Sequence, residues 1–400
     1  MAEKTVLALV LALVALVFAD QAFVGLNGNK TSLVLNPPAG GQVVVYGVAF
    51  RSLLDRLDAV EHQLAGQQCR VVADTTTLSG FNEIGSKWIG GVLANTGKIY
   101  GIPHDSSSVL MIDPRTNTAD TTTIADLGNG GRKWQGGVVA NNGKIYGIPF
   151  NSPSVLVINP ATNMTDTTSI MGLGNGGQKW YGGVLALNGK IYGIPQVSSS
   201  VLIIDPTTNT TDITAITCLG TDGGGKWVGG VLANNGKIYC IPHDSPSVLI
   251  IDPATNITDT TTMAGLGVFG NKWPGGVLAR NGLIYGIPRD SQWVLMINPF
   301  TDKMDTTSIT GLTNGGNKWV GGVMADNGKI YGIPLNSPSV LIIDTITNTV
   351  DTATITGLHG DGKWSGGVLG RNGKIYGIPS ASPSVLIIQQ LCDITMTKGL

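Results

Sequence analysis

From residue 69 onward the chain alternates short β-branched and aromatic runs with clusters of Gly, Asn, Pro and Thr, and the alternation has a fixed period. Lys-Trp recurs at Trp88, Trp134, Trp180, Trp227, Trp273, Trp319 and Trp364, at spacings of 46, 46, 47, 46, 46 and 45 residues. In the second copy, residues 136–140 (GGVVA) and 144–149 (KIYGIP) read as two strands joined by Asn141-Asn142-Gly143, an Asn-Gly hairpin signal. Residues 154–158 (SVLVI) form a third strand and run into Asn159-Pro160-Ala161-Thr162-Asn163, a turn with Pro at its second position. Residues 165–170 (TDTTSI) then return as a fourth. Four short strands every ~46 residues, with no helical periodicity inside any copy, predict an all-β, seven-bladed propeller.

The Lys-Trp of the first strand and the Asp-Thr-Thr of the fourth, or its variant, each occur seven times but are offset by one strand. The acidic set is Asp74, Asp120, Asp166, Asp212, Asp259, Asp305 and Asp351. The offset predicts that residues 70–78 supply the outer strand of the blade whose inner three strands lie within 366–389, which covers the open edges at the ring junction. Aligning the copies places Cys69 at the position of Arg115 and Cys392 at that of Thr116, neighbours in the turn between strands three and four. In the last blade that turn is cut, and a Cys69–Cys392 disulfide is expected to restore it, which suits an oxidising compartment. Cys218 and Cys240 stand at ordinary repeat positions and read either as two thiols or as a second bridge.

Upstream, residues 5–19 (TVLALVLALVALVFA) are apolar over 15 positions, where a spanning helix needs roughly 20. Residues 1–19 therefore read as a signal peptide cleaved after Ala19, or as a retained membrane anchor. Residues 20–47 hold two β-rich runs around Pro37-Pro38-Ala39-Gly40-Gly41, a hairpin pattern. In residues 48–68, Phe50, Leu53, Leu57, Val60 and Leu64 recur at spacings of 3, 4, 3 and 4. This is the a/d seam of a short coiled coil, which makes a homo-oligomer or packs on its own domain. The propeller would occupy 69–400.

Composition sharpens this picture in two ways. Gly accounts for 57 of 400 residues and charged residues for 13%, against roughly 7% and 25% in an average domain, as a turn-rich β protein requires. With 25 Lys and Arg against 26 Asp and Glu, no basic field exists to grip a phosphate backbone, so nucleic acid is excluded as a partner. Four sequons, at Asn29, Asn163, Asn209 and Asn256, fit a secreted or cell-surface glycoprotein, although an Asn/Thr-rich repeat generates sequons by itself.

Gly229 to Pro242 (GGVLANNGKIYCIP) resembles the inner strands of the kelch repeat, and Ser247 to Asn256 (SVLIIDPATN) resembles both the kelch DP-turn and the YVTN-type repeats of surface-layer propellers. The resemblance spans residues 69–390. It implies binding and scaffolding more than catalysis, and hence a non-catalytic protein-interaction or structural module that is not an enzyme. The alternatives are a glycan-binding lectin and an enzyme with an unrecognised site.

The four histidines, His62, His104, His243 and His359, show no metal-ligand or catalytic spacing, and no nucleophile elbow or phosphate loop is present. No metal and no cofactor is expected. Asp113, Asp205, Asp252 and Asp344 read as turn-forming side chains. The Lys-Trp pairs read as packing between blades, with a ring of ligand-stacking indoles as the rival.

A ligand or protein partner without sevenfold symmetry needs contacts that differ between copies, and two columns supply them. After Lys-Trp stand Ile89, Gln135, Tyr181, Val228, Pro274, Val320 and Ser365. After Ile-Pro stand His104, Phe150, Gln196, His243, Arg289, Leu335 and Ser380. Both columns fall on one face, where loops vary without disturbing the scaffold. The partner-binding candidates are His104, Phe150, Tyr181, Gln196, His243, Arg289 and Leu335.

Overall fold

The computed structural model describes residues 68–82, 85–220 and 224–393, together with three short upstream strands. Those strands, Phe23–Leu26, Ser32–Asn36 and Val43–Tyr46, pair as one antiparallel sheet. The apolar segment 5–19, sequon Asn29 and the heptad residues Phe50, Leu53, Leu57, Val60 and Leu64 lie outside the described residues. Val71–Gln389 form a separate compact unit.

That unit is a seven-bladed propeller of four-stranded antiparallel sheets. In the first blade the strands are Trp88–Leu93, Ile99–Pro103, Leu110–Asp113 and Thr118–Asp120. The last sheet combines Trp364–Leu369, Ile375–Pro379 and Leu386–Asp393 with Gln68–Asp74 from the start of the repeat array. Strand exchange thus closes the ring as the offset predicts, and a Cys69–Cys392 disulfide spans 323 residues at the junction. Cys218 and Cys240 are free thiols, one exposed and one buried.

The core lies between blades rather than within them. A representative cluster joins Val138, Tyr146, Ile148, Val155 and Val157 of one blade to Trp180, Ile191, Leu202 and Ile204 of the next. The second strand of each blade is therefore buried along its length, for example at Ile145–Pro149, and a period-2 pattern gives way to IYGIP, apolar on both faces. Every repeat Trp is at most 3% exposed. Each indole Nε1–H donates to a backbone carbonyl twenty residues on, as from Trp180 to Ser200 O at 2.8 Å, so the ring of indoles is packing and no platform for a ligand.

Glycine pairs let the innermost strands converge. The first glycine of each pair, such as Gly136, has a positive φ, here 69°, and a Cβ there would stand 3.1 Å from Gly182 Cα of the neighbouring blade. Only glycine combines that backbone with that approach. The register shifts here between Trp134 and Gly137, a bulge that leaves Gln135, the residue before the glycine, out of the ladder.

Two sequence expectations change. The fourth strand is three residues, Met164–Asp166 in the second blade, and the Thr-rich run 167–170 is a turn instead. Asp166 Oδ1 captures the N–H groups of Thr168 and Ser169, at 2.7 and 2.9 Å, and so takes them from the ladder. In the fifth blade the first strand shortens to Gly276–Leu278, because Pro274 has no N–H to give.

Candidate functional site

Both variable columns converge on a single funnel of about 430 Å³ at the centre of one face, lined by residues from all seven blades. Every one of the fourteen column residues contributes to its wall. A larger cleft, about 630 Å³ beside Trp227 and Pro246, is lined mainly by residues that each copy shares, so the funnel is where this molecule departs from its own repeat.

The scaffold beneath the funnel is held by a ring of lysines. Lys87, Lys133, Lys179, Lys226, Lys272, Lys318 and Lys363 are all at most 9% exposed. Their ammonium groups face loop carbonyls: Lys133 Nζ donates to Ser106 O and Gly130 O, both at 2.9 Å, and Lys363 Nζ to Gly360 O at 2.6 Å. Burial pushes Lys179, Lys272, Lys318 and Lys363 down to about 8. These cations clamp adjacent blades, and their donors are spent on the backbone.

A second clamp follows the Ile-Pro column. Asp105 Oδ1 accepts from Arg132 N at 2.6 Å, and Asp244 Oδ1 accepts from Asn271 N at 2.7 Å. Asn151 and Asp290 do the same toward Gln178 N and Asn317 N. Burial opposes ionisation of Asp244, but the adjacent His243 and these N–H groups hold its carboxyl down at about 2. The acids beside the funnel are thus occupied in fastening one blade to the next.

The funnel wall itself contains buried polar side chains with atoms that make no hydrogen bond. His104, Gln135, Gln196 and His243 are 4%, 5%, 8% and 7% exposed. Among the described residues, Gln135 Oε1, Gln196 Oε1 and both ring nitrogens of His104 find no hydrogen bond. His104 Nδ1 does lie 3.0 Å from Asp105 Oδ1, but not along the direction of a ring N–H bond. Burial pulls the His104 imidazole below its ordinary value, so the ring is neutral at neutral pH. Such groups cost roughly 1–3 kcal/mol each when nothing satisfies them.

Tyr181 crosses the funnel. Burial raises its phenol, an effect moderated by the Ser365 hydroxyl on the opposite side and by the charge of Arg289. Its ring meets Phe150 edge-on at 6.3 Å, and Phe150 meets His104 at 5.8 Å. Arg289 donates from Nε to Asn317 Oδ1 at 2.6 Å and has no carboxylate within ion-pair distance among the described residues. Sequence reasoning missed a third variable column, the residue before each Lys-Trp. It includes Ser86, Arg132, Gln178, Gly225 and Asn271, which complete the rim. Its variation from copy to copy was the available signal.

Sequons Asn163, Asn209 and Asn256 occupy the turn between strands three and four with positive φ of 56°, 53° and 57°. Each accepts a hydrogen bond from a buried Tyr hydroxyl of the preceding blade, as Asn163 does from Tyr100. Asn117 and Asn348 adopt the same backbone without forming sequons, so the turn alone accounts for the asparagine.

No protein-family model matches this chain, and no curated protein matches it. Solved structures do. A streptogramin B lyase superposes with a TM-score of 0.62 at 11% identity, over 81% of this chain and 98% of that one. The virginiamycin B lyase of Staphylococcus aureus gives 0.64 at 9% identity, over 80% and 99%. The extracellular domain of a one component system of B. thetaiotaomicron gives 0.58 at 10% identity, covering 92% of this chain and 46% of that one. At these identities the likeness is one of fold. The propeller expected from the kelch-like and YVTN-like resemblance stands, but these neighbours are lyases and Bacteroides extracellular domains. The expectation that the chain is not an enzyme is corrected: enzymes share this fold with it. The physical reason is that a propeller site takes single residues from separate blades, so no short motif announces it.

Proposed function

We propose that this chain is an extracytoplasmic propeller whose central funnel is a ligand-binding site. The observation that carries the reading is the coincidence of two independent properties. Both columns that break the repeat line the funnel, and His104, Gln135, Gln196 and His243 in them hold five of the six buried side-chain atoms that find no hydrogen bond among the described residues, the sixth being Trp293 Nε1. A scaffold that pairs the lysine, indole and tyrosine of every repeat has no evident structural use for unsatisfied Gln135, Gln196 and His104. The disulfide and the extracellular Bacteroides propellers, among them a nutrient binding protein of Bacteroides ovatus with a TM-score of 0.51 at 12% identity over 91% of this chain and 85% of that one, support an extracytoplasmic setting.

Native mass spectrometry of protein isolated from its source tests the reading. A small molecule or peptide should travel with the wild type and be lost from Ser380→Trp, which fills the funnel from its wall. Retention by the variant would place binding elsewhere.

One observation favours a second reading, catalysis in the same funnel. His104 and His243 each stand beside a carboxylate, with Nδ1 3.0 and 2.8 Å from Asp105 and Asp244, and a histidine-to-alanine variant of the S. aureus virginiamycin B lyase is catalytically inactive. A buried imidazole held below its ordinary value, as that of His104 is, is suited to accept a proton. Turnover of the bound ligand that disappears in His104→Ala or His243→Ala, with binding retained, would establish it.

A further inference from the structure

We propose that the funnel recognises a free main-chain carboxylate followed inward by N–H donors, the chemistry of an amino acid or of a peptide C-terminus, with Arg289 as the anion anchor and Gln135 and Gln196 as acceptors. The inference rests on the funnel being the binding site.

The charge of the funnel selects the sign of the ligand. Its fixed ionic groups are Arg132, Arg289 and Asp244. Asp244 is committed to His243 and to the N–H groups of Gly225 and Asn271. Arg289 spends only Nε, on the neutral amide of Asn317, which leaves its two terminal nitrogens for a planar, bidentate anion. The seven lysines below are no competitor, since their ammonium groups are turned to loop carbonyls. Among the residues that line the funnel guanidiniums outnumber carboxylates two to one, and Asp105 and Asp290 beside it are taken up by the N–H groups of Arg132 and Asn317.

The unpartnered atoms select what must accompany the anion. Gln135 Oε1 and Gln196 Oε1 are acceptors, so the ligand must bring donors, and burial makes the mismatch of a ligand lacking them costly. Ile89, Val228, Val320 and Leu335 supply apolar wall for a hydrocarbon side chain. A sugar acid would also bring donors, but it needs an open aromatic face to stack on. Phe150 is 5% exposed, and its ring is engaged by His104 and Tyr181, so this wall suits an aliphatic side chain better than a pyranose.

Isothermal titration with acetyl-Ala-Leu, its C-terminal amide, free leucine and glucuronate, on the full chain, tests the assignment. Acetyl-Ala-Leu should bind, and the amide should bind at least about tenfold more weakly, as expected for loss of a hydrogen bond to a charged group. Arg289→Gln should remove that preference for the acid, and Arg289→Lys should restore part of it, with unchanged melting temperatures showing that both variants fold. Free leucine binding as tightly as the dipeptide assigns the carboxylate to a metabolite; dipeptide binding without leucine binding assigns it to a peptide end. Equal binding of acid and amide overturns the carboxylate inference, and glucuronate in preference to both overturns its main-chain assignment, each while leaving the funnel as the site. Dipeptide binding that survives Arg289→Gln and Gln196→Leu unchanged overturns the inference together with the funnel reading. Absence of binding by all four probes overturns this inference alone.

Discussion

A repeated side chain in this molecule solves a problem that every blade has, and its removal can be judged by that problem. Trp180 is 2% exposed and packs across the seam between two blades, so Trp180→Ala should cost about 3–5 kcal/mol, read as a lower urea midpoint. An unchanged midpoint would contradict the packing role. The acidic turn residues act through charge. The Thr123 hydroxyl, helped by the N–H of Thr122, holds Asp120 down to about 2, and the Ser308 hydroxyl does the same for Asp305. Their folded-state values lie below those of an unfolded carboxylate near 3.9, so the stabilisation is complete above about pH 4 and disappears as pH falls through about 2. Melting temperature should therefore drop steeply between pH 4 and 2, and Asp120→Asn should flatten that drop. Asp212 lacks the second hydroxyl because residue 215 is alanine, and Asp212→Asn should flatten it less. A curve level down to pH 2 would show that these turns contribute nothing.

At the scale of the strand and the blade, much was legible because repetition averages out local ambiguity. Seven copies of Lys-Trp and of Asp-Thr-Thr fix strand number, and their offset fixes closure, even to the pairing of Cys69 with Cys392. Strand ends were less legible. Thr, a good strand former, does not extend the fourth strand past Asp166, because the Asp side chain competes for the backbone N–H groups, and propensity carries no trace of that competition. The funnel columns were visible as variation. Their unpartnered atoms were not, since partnering depends on the bulge at each Gly-Gly and on neighbours from other blades. Closure also carries a prediction. The exchanged strand keeps its ladder when the disulfide is removed, so Cys69→Ser should stay folded yet lose about 2–5 kcal/mol, and circular dichroism through a thermal ramp should show an unchanged spectrum with an earlier transition. A changed spectrum at low temperature would mean that the bond, and not the ladder, holds the ring.

The whole molecule joins a symmetric frame to an asymmetric funnel, and the two make opposite demands on stability. In the frame the repeated polar groups are answered: the Lys-Trp indole donates to a carbonyl, the ammonium to carbonyls, and the Tyr hydroxyl is paired with an asparagine side chain, as Tyr100 is with Asn163 and Tyr331 with Asn327. In the funnel His104, Gln135 and Gln196 leave atoms unanswered at burial above nine-tenths, and a polar group buried without a partner lowers stability. The repeat itself supplies apolar residues that fit the same backbone: Phe150 stands where His104 does, Val228 and Val320 where Gln135 does, and Leu335 where Gln196 does. His104→Phe, Gln135→Val and Gln196→Leu therefore graft onto one blade what another already tolerates. If the unanswered atoms are retained for a ligand, each change should raise stability by about 1 kcal/mol, seen as a melting temperature higher by a few degrees, and the triple variant should lose ligand binding altogether. A residue kept for folding would behave in the opposite way, lowering the melting temperature and leaving binding intact, and that result would return the funnel to the scaffold.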